Sequence, residues 1–397
     1  MNTTKRETSL WDWGFLIFVI AGTFTTFIIA AVFAIAALFS VLGGDEEALP
    51  AAIWGMIAFA FLALCGIPGI YTGVLRLSSN EELGQARTTL FTAISILFFG
   101  TAIILGFVAY SLGVISLILG PLAQLLAATA AVLFIVQIAR RNGPTITQRK
   151  TWGQFLIGLW LVPLIALVVE IILIVPVVLI IGFGALFSEG GQDITEWLLD
   201  PSSSVLELGD TLNSLVLEPW FILLVLIFFS FLVPLVEEVL KTMAVWPLIY
   251  RGCSSAEAFL GGVIGGAGYA LFEAIFLFQE VDAWLPTMIG RGGATIMHAF
   301  TAGIASWGLA EGFNTKRWWR TVLAFVLAIG FHGLWNASAV AVAFSGLLSE
   351  DQAGSEIVTT LLQAGGVLLI GILIITAILG IPGWLRKVNQ HSAALET

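Results

Sequence analysis

The sequence predicts an all-α polytopic membrane protein of about ten transmembrane helices, with both termini cytoplasmic. Two observations predict it. The 397 residues are 59% hydrophobic and 11% charged, and their apolar runs exceed the roughly 18 residues that mark a spanning helix. Lysine and arginine also recur only in alternate loops, which is the pattern that sets orientation across a membrane. The net charge of −10 is therefore not the charge of one surface.

Taken in order, the spans run 14–42, 51–74, 88–111, 114–139, 153–187, 219–247, 256–279, 287–310, 321–346 and 356–381. Lys5 and Arg6 precede the first. Arg76 and Arg87 follow the second, and Arg140, Arg141, Arg149 and Lys150 follow the fourth. Arg251 follows the sixth, Lys316, Arg317 and Arg320 the eighth, and Arg386 and Lys387 the tenth. The other loops (43–50, 188–218, 280–286 and 347–355) hold acids and no base. Only Lys241 and Arg291 are left inside spans. The leading apolar run is far longer than a signal-peptide core and reads as a retained helix. Cys65, within a span, and Cys253, in a turn, do not suit a disulfide.

Spans one to four carry no ionisable residue in their interiors, and residues 1–187 read as an N-terminal scaffold. The basic stretch 140–150 suits contact with anionic lipid. The fifth span is long enough to bend at Pro163 or Pro176. It holds Glu170, read first as a structural partner and second as a functional group. An acidic extracytoplasmic loop follows at 188–218. Residues 219–346 form the chemically unusual bundle, and 347–397 the last span and a cytoplasmic tail.

The sixth span contains FLVPLVEEVLKTMAVW. Ionisable groups at membrane depth cost at least ~2.5–3.5 kcal/mol each on insertion scales and face a bundle interior or a wet cavity. Glu237, Glu238 and Lys241 fall within five residues, with Lys241 one turn from either carboxylate. Pro234 is expected to bend this helix or free a carbonyl. The seventh span carries Gly261, Gly262, Gly265, Gly266 and Gly268, which allow close helix approach, and Glu273 one turn after Tyr269. The eighth holds Arg291 and His298 two turns apart, and the ninth His332 and Asn336 one turn apart. Both histidines come out about 17–18 Å from opposite helix ends, hence near mid-membrane.

Carboxylates take protons from water, imidazoles bind metal or donate to developing charge, and an amide can donate to an oxyanion. Ser306 and Ser338 lie a turn or more from the histidines, and neither histidine has an aspartate orienter. The set favours attack by water over a covalent acyl-enzyme. It lacks the HEXXH spacing of common zinc proteases. A proton-coupled secondary transporter using the same Glu/Lys/His relay is the alternative, as is a non-catalytic membrane scaffold. A transporter with inverted repeats calls for similar broken segments in both halves, and the first five spans contain nothing like EEVLK or HGLWN.

EEVLK at 237–241, Tyr269 with Glu273, His298 in the next span and HGLWN at 332–336 together resemble the PrsW family of intramembrane proteases, relatives of the CAAX-processing and bacteriocin-immunity group. Tyr269 departs mildly from the family's more usual Phe. The resemblance covers roughly 219–346. It implies an intramembrane endopeptidase of membrane-anchored proteins in a prokaryotic cytoplasmic membrane, of anti-sigma-factor-like class, with no role for nucleic acid. It implies that Glu237 and Glu238 include the water-activating base and that Asn336 supplies the oxyanion donor. His298, His332 and Glu273 are the candidate metal ligands, with Zn2+ the candidate ion. A metalloprotease and a glutamate-type hydrolase both remain open. Lys241 is expected to keep a neighbouring glutamate ionised, and Arg291 to pair with Glu170 or Glu273 or to reach the outer interface, a structural role before a catalytic one.

Overall fold

A computed structural model describes residues 9–79, 90–185, 218–276, 284–351 and 356–395. Residues 188–217 of the expected acidic loop lie outside them. Ten long helical runs match the ten expected spans, and no strand occurs among the described residues. They are α1 (Leu10–Gly43), α2 (Ala48–Ser79), α3 (Leu90–Tyr110), α4 (Ser116–Asn142), α5 (148–185), α6 (Pro219–Tyr250), α7 (Ser255–Ile275), α8 (Trp284–Thr315), α9 (Trp318–Asp351) and α10 (Glu356–Leu395). A helix satisfies all its backbone polar groups internally, which hydrocarbon demands. Nine of these runs are long and apolar enough to cross a membrane, and the protein is an integral membrane protein. The exception is α8, whose 32 residues include Arg291, His298, several threonines and a run of glycines.

Two helices are broken in the same way. In α5 a π turn at Ile157–Leu161 precedes Pro163, and in α6 a π turn at Phe228–Leu232 precedes Pro234. Proline lacks the amide hydrogen and clashes with the carbonyl four residues back, so the chain widens by one residue there. A tighter 3-10 turn at Thr242–Val245 follows Lys241. The turn from α6 into α7 uses Gly252 at φ 77°, a left-handed conformation that favours glycine. Ser254 and Glu257 then cap α7 reciprocally, at 3.1 and 3.2 Å.

The chain forms two compact units, each assembled from interleaved stretches. The first comprises Met1–Pro163, Lys241–Ala328 and Leu373–Thr397, and α7 is its centre, with 89% of its apolar window buried. A Cβ on Gly262 would meet the carbonyl of Ala302, one on Gly266 that of His298, and one on Gly268 that of Phe155. The glycine face therefore admits α8 on one side and α5 on the other at backbone distance. Across this core Gln124 donates to the Ala274 carbonyl at 2.5 Å and Trp284 to that of Ile103 at 2.9 Å. The outer residues of α1, such as Ile17, Phe24 and Phe39, are exposed apolar surface for lipid.

The second unit comprises Leu164–Leu240 and Ile329–Ile372. Its organising contact is between the π turn of α6 and α9. A Cβ on Gly333 would meet the Ser230 carbonyl, the one whose usual helical partner would be the missing amide hydrogen of Pro234. Glu170 lies partly buried in this unit.

Candidate active site

In the second unit, the segment Val233–Lys241 of α6 presents Glu237 and Glu238, 3% and 0% exposed, and α9 presents His332 at 1%. Charged groups this deep must be paired or hydrogen-bonded. His332 Nδ1 is 2.8 Å from Glu238 Oε1, and its Nε2 is 3.9 Å from Glu237 Oε2. An ionised carboxylate only accepts, so the Glu238 contact puts the imidazole proton on Nδ1 and leaves Nε2 with its lone pair. The 3.9 Å gap on the Glu237 side is too long for a hydrogen bond. It suits one shared atom between the two groups. The adjacent glutamates thus address opposite edges of one imidazole, as their roughly 100° separation on a helix allows.

Asn336, one turn past His332, donates from Nδ2 to the Phe229 carbonyl at 2.7 Å. The π turn explains why that oxygen is available. The Val233 amide bonds to Phe228, and the residue five beyond Phe229 is Pro234, which has no hydrogen to give. The amide expected to face an oxyanion is engaged in closing a broken turn.

In the first unit, Lys241 (1% exposed) places Nζ 2.6 Å from His298 Nδ1 and 4.5 Å from the centre of the Tyr269 ring. His298 Nε2 lies 2.9 Å from Glu273 Oε2, and Arg291 meets the same oxygen at 2.8 Å. The ammonium only donates and the carboxylate only accepts, so the imidazole is neutral with its proton on Nε2. Tyr269 packs edge-on to His298 at 5.5 Å. Of its two expected partners, Arg291 takes Glu273. Lys241 has an imidazole and an aromatic face as partners that the sequence did not single out, and it shares the helical segment Val233–Lys241 with Glu237 and Glu238.

His332 is thus held by a carboxylate on one ring nitrogen and presents the other, whereas His298 is engaged on both, by Glu273 and by Lys241. Metal-binding histidines are oriented in this way, and Glu237, His298 and His332 are buried side chains of types that hold a divalent ion. Ser338 donates to its own helix at Leu334 and makes no approach to a histidine as a nucleophile would. Sequence reasoning passed over Gln154, Asp12 and Glu311. Asp12 meets Arg149 at 2.6 Å, while Glu311 accepts from Ser255 at 2.7 Å and from Arg320 at 2.5 Å. They sit at span ends, where acids and bases read as loop residues.

Carboxylate–histidine pairs buried in membrane helices are groups able to move protons and orient a metal ligand. Residues 202–379, just under half of the chain, match the PrsW family intramembrane metalloprotease, and the match supports an intramembrane protease, whose substrates are membrane proteins. All the site residues above lie within it. Neither a curated protein nor a solved structure matches the chain.

Proposed function

We propose that the domain hydrolyses a peptide bond of a membrane-anchored protein with water activated by Glu237, on substrates of the anti-sigma-factor-like class that the motif resemblance implies. The observation that carries the reading is the array Glu238–His332–Glu237, with its 2.8 Å and 3.9 Å separations. Glu237 takes a proton from water, and the buried setting strengthens its interactions with neighbouring charges. His332 shares that water through Nε2, and Glu238 fixes the tautomer that makes this nitrogen available. Lys241 acts within the first unit, where it donates to His298 Nδ1 and lies over the Tyr269 ring. Glu273, anchored by Arg291, fixes the tautomer of His298, so it orients a histidine and is not itself a ligand. Asn336 keeps the proline-broken turn, and with it Glu237, in register.

The donor set fits a divalent metal ion. Within the second unit Glu237 and His332 would contribute to holding it, zinc being the candidate, through a carboxylate oxygen and an imidazole nitrogen whose opposite edge Glu238 already fixes. A bound ion supplies Lewis acidity to water and to the scissile carbonyl. A carboxylate that gives one oxygen to an ion keeps the other for a proton.

The alternating basic loops support cytoplasmic termini in a prokaryotic cytoplasmic membrane. The experiment is cleavage of a membrane-tethered substrate by purified protein in proteoliposomes, with and without chelator, alongside metal analysis. Glu237→Gln is expected to abolish turnover while leaving folding intact. Normal cleavage by that variant would overturn the assignment.

A further inference from the structure

Outside the matched domain's catalytic groups, the first unit contains a cavity of about 340 Å³. Its walls come from the first turns of α1 (Trp11, Gly14, Phe15 and Phe18), the beginning of α5 and the end of α6. It is apolar over most of its depth and basic at the helix ends, where Arg149, Lys150 and Arg251 contribute to the lining. Arg149 is shared with Asp12 at 2.6 Å, which also lies 3.8 Å from Arg76, and Lys150 meets Glu257 at 3.1 Å. Arg251 is exposed, and its guanidinium engages no partner among the described residues. Of the three basic residues in the lining, Arg149 and Lys150 are each shared with a carboxylate, and Arg251 adds a positive charge that no carboxylate among the described residues meets.

The cavity wall also holds Gln154, which is 3% exposed and has neither amide atom hydrogen-bonded among the described residues. Unsatisfied buried amides are rare in native structures and call for an explanation. The local backbone is irregular on two sides. Ile157 and Leu161 bound the π turn of α5, and Ala244 lies in the 3-10 turn of α6. At the rim Trp11 and Tyr250 pack at 5.8 Å, the aromatic pairing expected at headgroup level.

We propose that this cavity binds one anionic phospholipid, its phosphate against Arg251, Arg149 and Lys150 and its first acyl methylenes along Phe18, Ile157 and Leu161. The chemistry required is an anion joined directly to a hydrocarbon chain. The volume is at the lower end of small-ligand sites, roughly 300–1,000 Å³. It therefore takes the headgroup and the start of one chain, and the remaining hydrocarbon stays in the bilayer. Basic pockets between membrane helices recognise lipid phosphates in this way. The site is independent of the peptidase reading, because none of its residues lies among the catalytic groups.

The test is native mass spectrometry of the full chain in detergent, titrated with dioleoyl phosphatidylglycerol or dioleoyl phosphatidylcholine. Wild-type protein retains one phosphatidylglycerol in preference to phosphatidylcholine. Arg251→Gln, at an exposed position with no other partner, lowers that preference about fivefold, the effect of one lost cation near a lipid surface. Gly14→Phe removes it, because Gly14 lines the cavity and a Cβ there meets nothing within 4 Å, which leaves room for a side chain to fill the space. Equal retention of the two lipids overturns the proposal, as does undiminished preference in both variants. Displacement of the lipid by millimolar inorganic phosphate overturns it too, since the site then recognises a free anion. Melting curves of both variants verify the fold, and if Gly14→Phe is unfolded, Arg251→Gln decides alone.

Discussion

Asn336 donates to the carbonyl of Phe229 at 2.7 Å, an oxygen left over where a π turn meets Pro234. The bond ties α9, one turn past His332, to α6, two turns ahead of Glu237. Replacing Asn336 by Leu leaves a polar oxygen without its donor, at a cost of about 1–3 kcal/mol. In a Pro234→Ala background the backbone regains an amide hydrogen, so the same change is expected to cost less. A double-mutant cycle in unfolding free energy measures the difference. Additive effects would show that the amide does not serve this turn.

Glu238 reaches His332 only through Nδ1, so its substitution acts on ring orientation. Glu238→Gln is expected to weaken metal binding on the order of 10–100-fold while leaving protein yield and melting temperature near wild type. Zinc titration monitored by competition with a chelating dye checks it. Unchanged affinity would detach Glu238 from the site.

Glycines on α5, α7 and α8 give a graded series. A Cβ on Gly158 would meet the carbonyl of Gly265, and one on Gly268 the carbonyl of Phe155. Backbone cannot step aside as a side chain can, so Gly158→Ala and Gly268→Ala are each expected to cost about 1–3 kcal/mol. Gly290→Ala, with nothing within 4 Å, is expected to be neutral or to stabilise by up to about 1 kcal/mol. Thermal unfolding in detergent ranks the three.

Burial pushes the Cys253 thiol up to about 11, with Glu257 adding to the rise and Lys150 opposing it. The thiolate is the reactive form, so maleimide labelling of the folded protein at pH 7.5 is expected to be slow and to accelerate as pH climbs towards 11. The raised value also means that the folded state loses stability from this group as pH rises above its ordinary 9.0. Lys150→Met removes the opposing charge and is expected to slow labelling further. Labelling at the rate of an exposed thiol would contradict the burial.

The ten helices were legible because twenty-residue apolar runs leave the backbone no alternative in lipid. Pairing of Arg291 with Glu273 was legible too, since two opposite charges inside spans have few partners to choose from. Helix periodicity correctly separated the two adjacent glutamates, and it could not say which edge of which imidazole each one meets. Pro234 signalled a break, but the π geometry, and hence the stray Phe229 carbonyl, depends on what α9 brings alongside. That is why the bond from the Asn336 amide to this carbonyl could not be read from the sequence. Asp12, Arg76 and Arg149 each looked like ordinary residues near span ends. Their association is tertiary, and spacing along the chain carries no trace of it.

The inward-facing glycines of α7 have an effect on how the protein is made. A helix covered on nearly every side gains little from lipid contact, and α8 beside it falls short of the hydropathy that marks the other nine. Of the two it is α8 that lacks an apolar run of its own, and docked on α7 it hides glycine backbone and the Glu273–Arg291 pair from hydrocarbon. Burial of α8 in the membrane is thereby tied to its docking on α7. Until they have joined, His298 has no carboxylate to orient it.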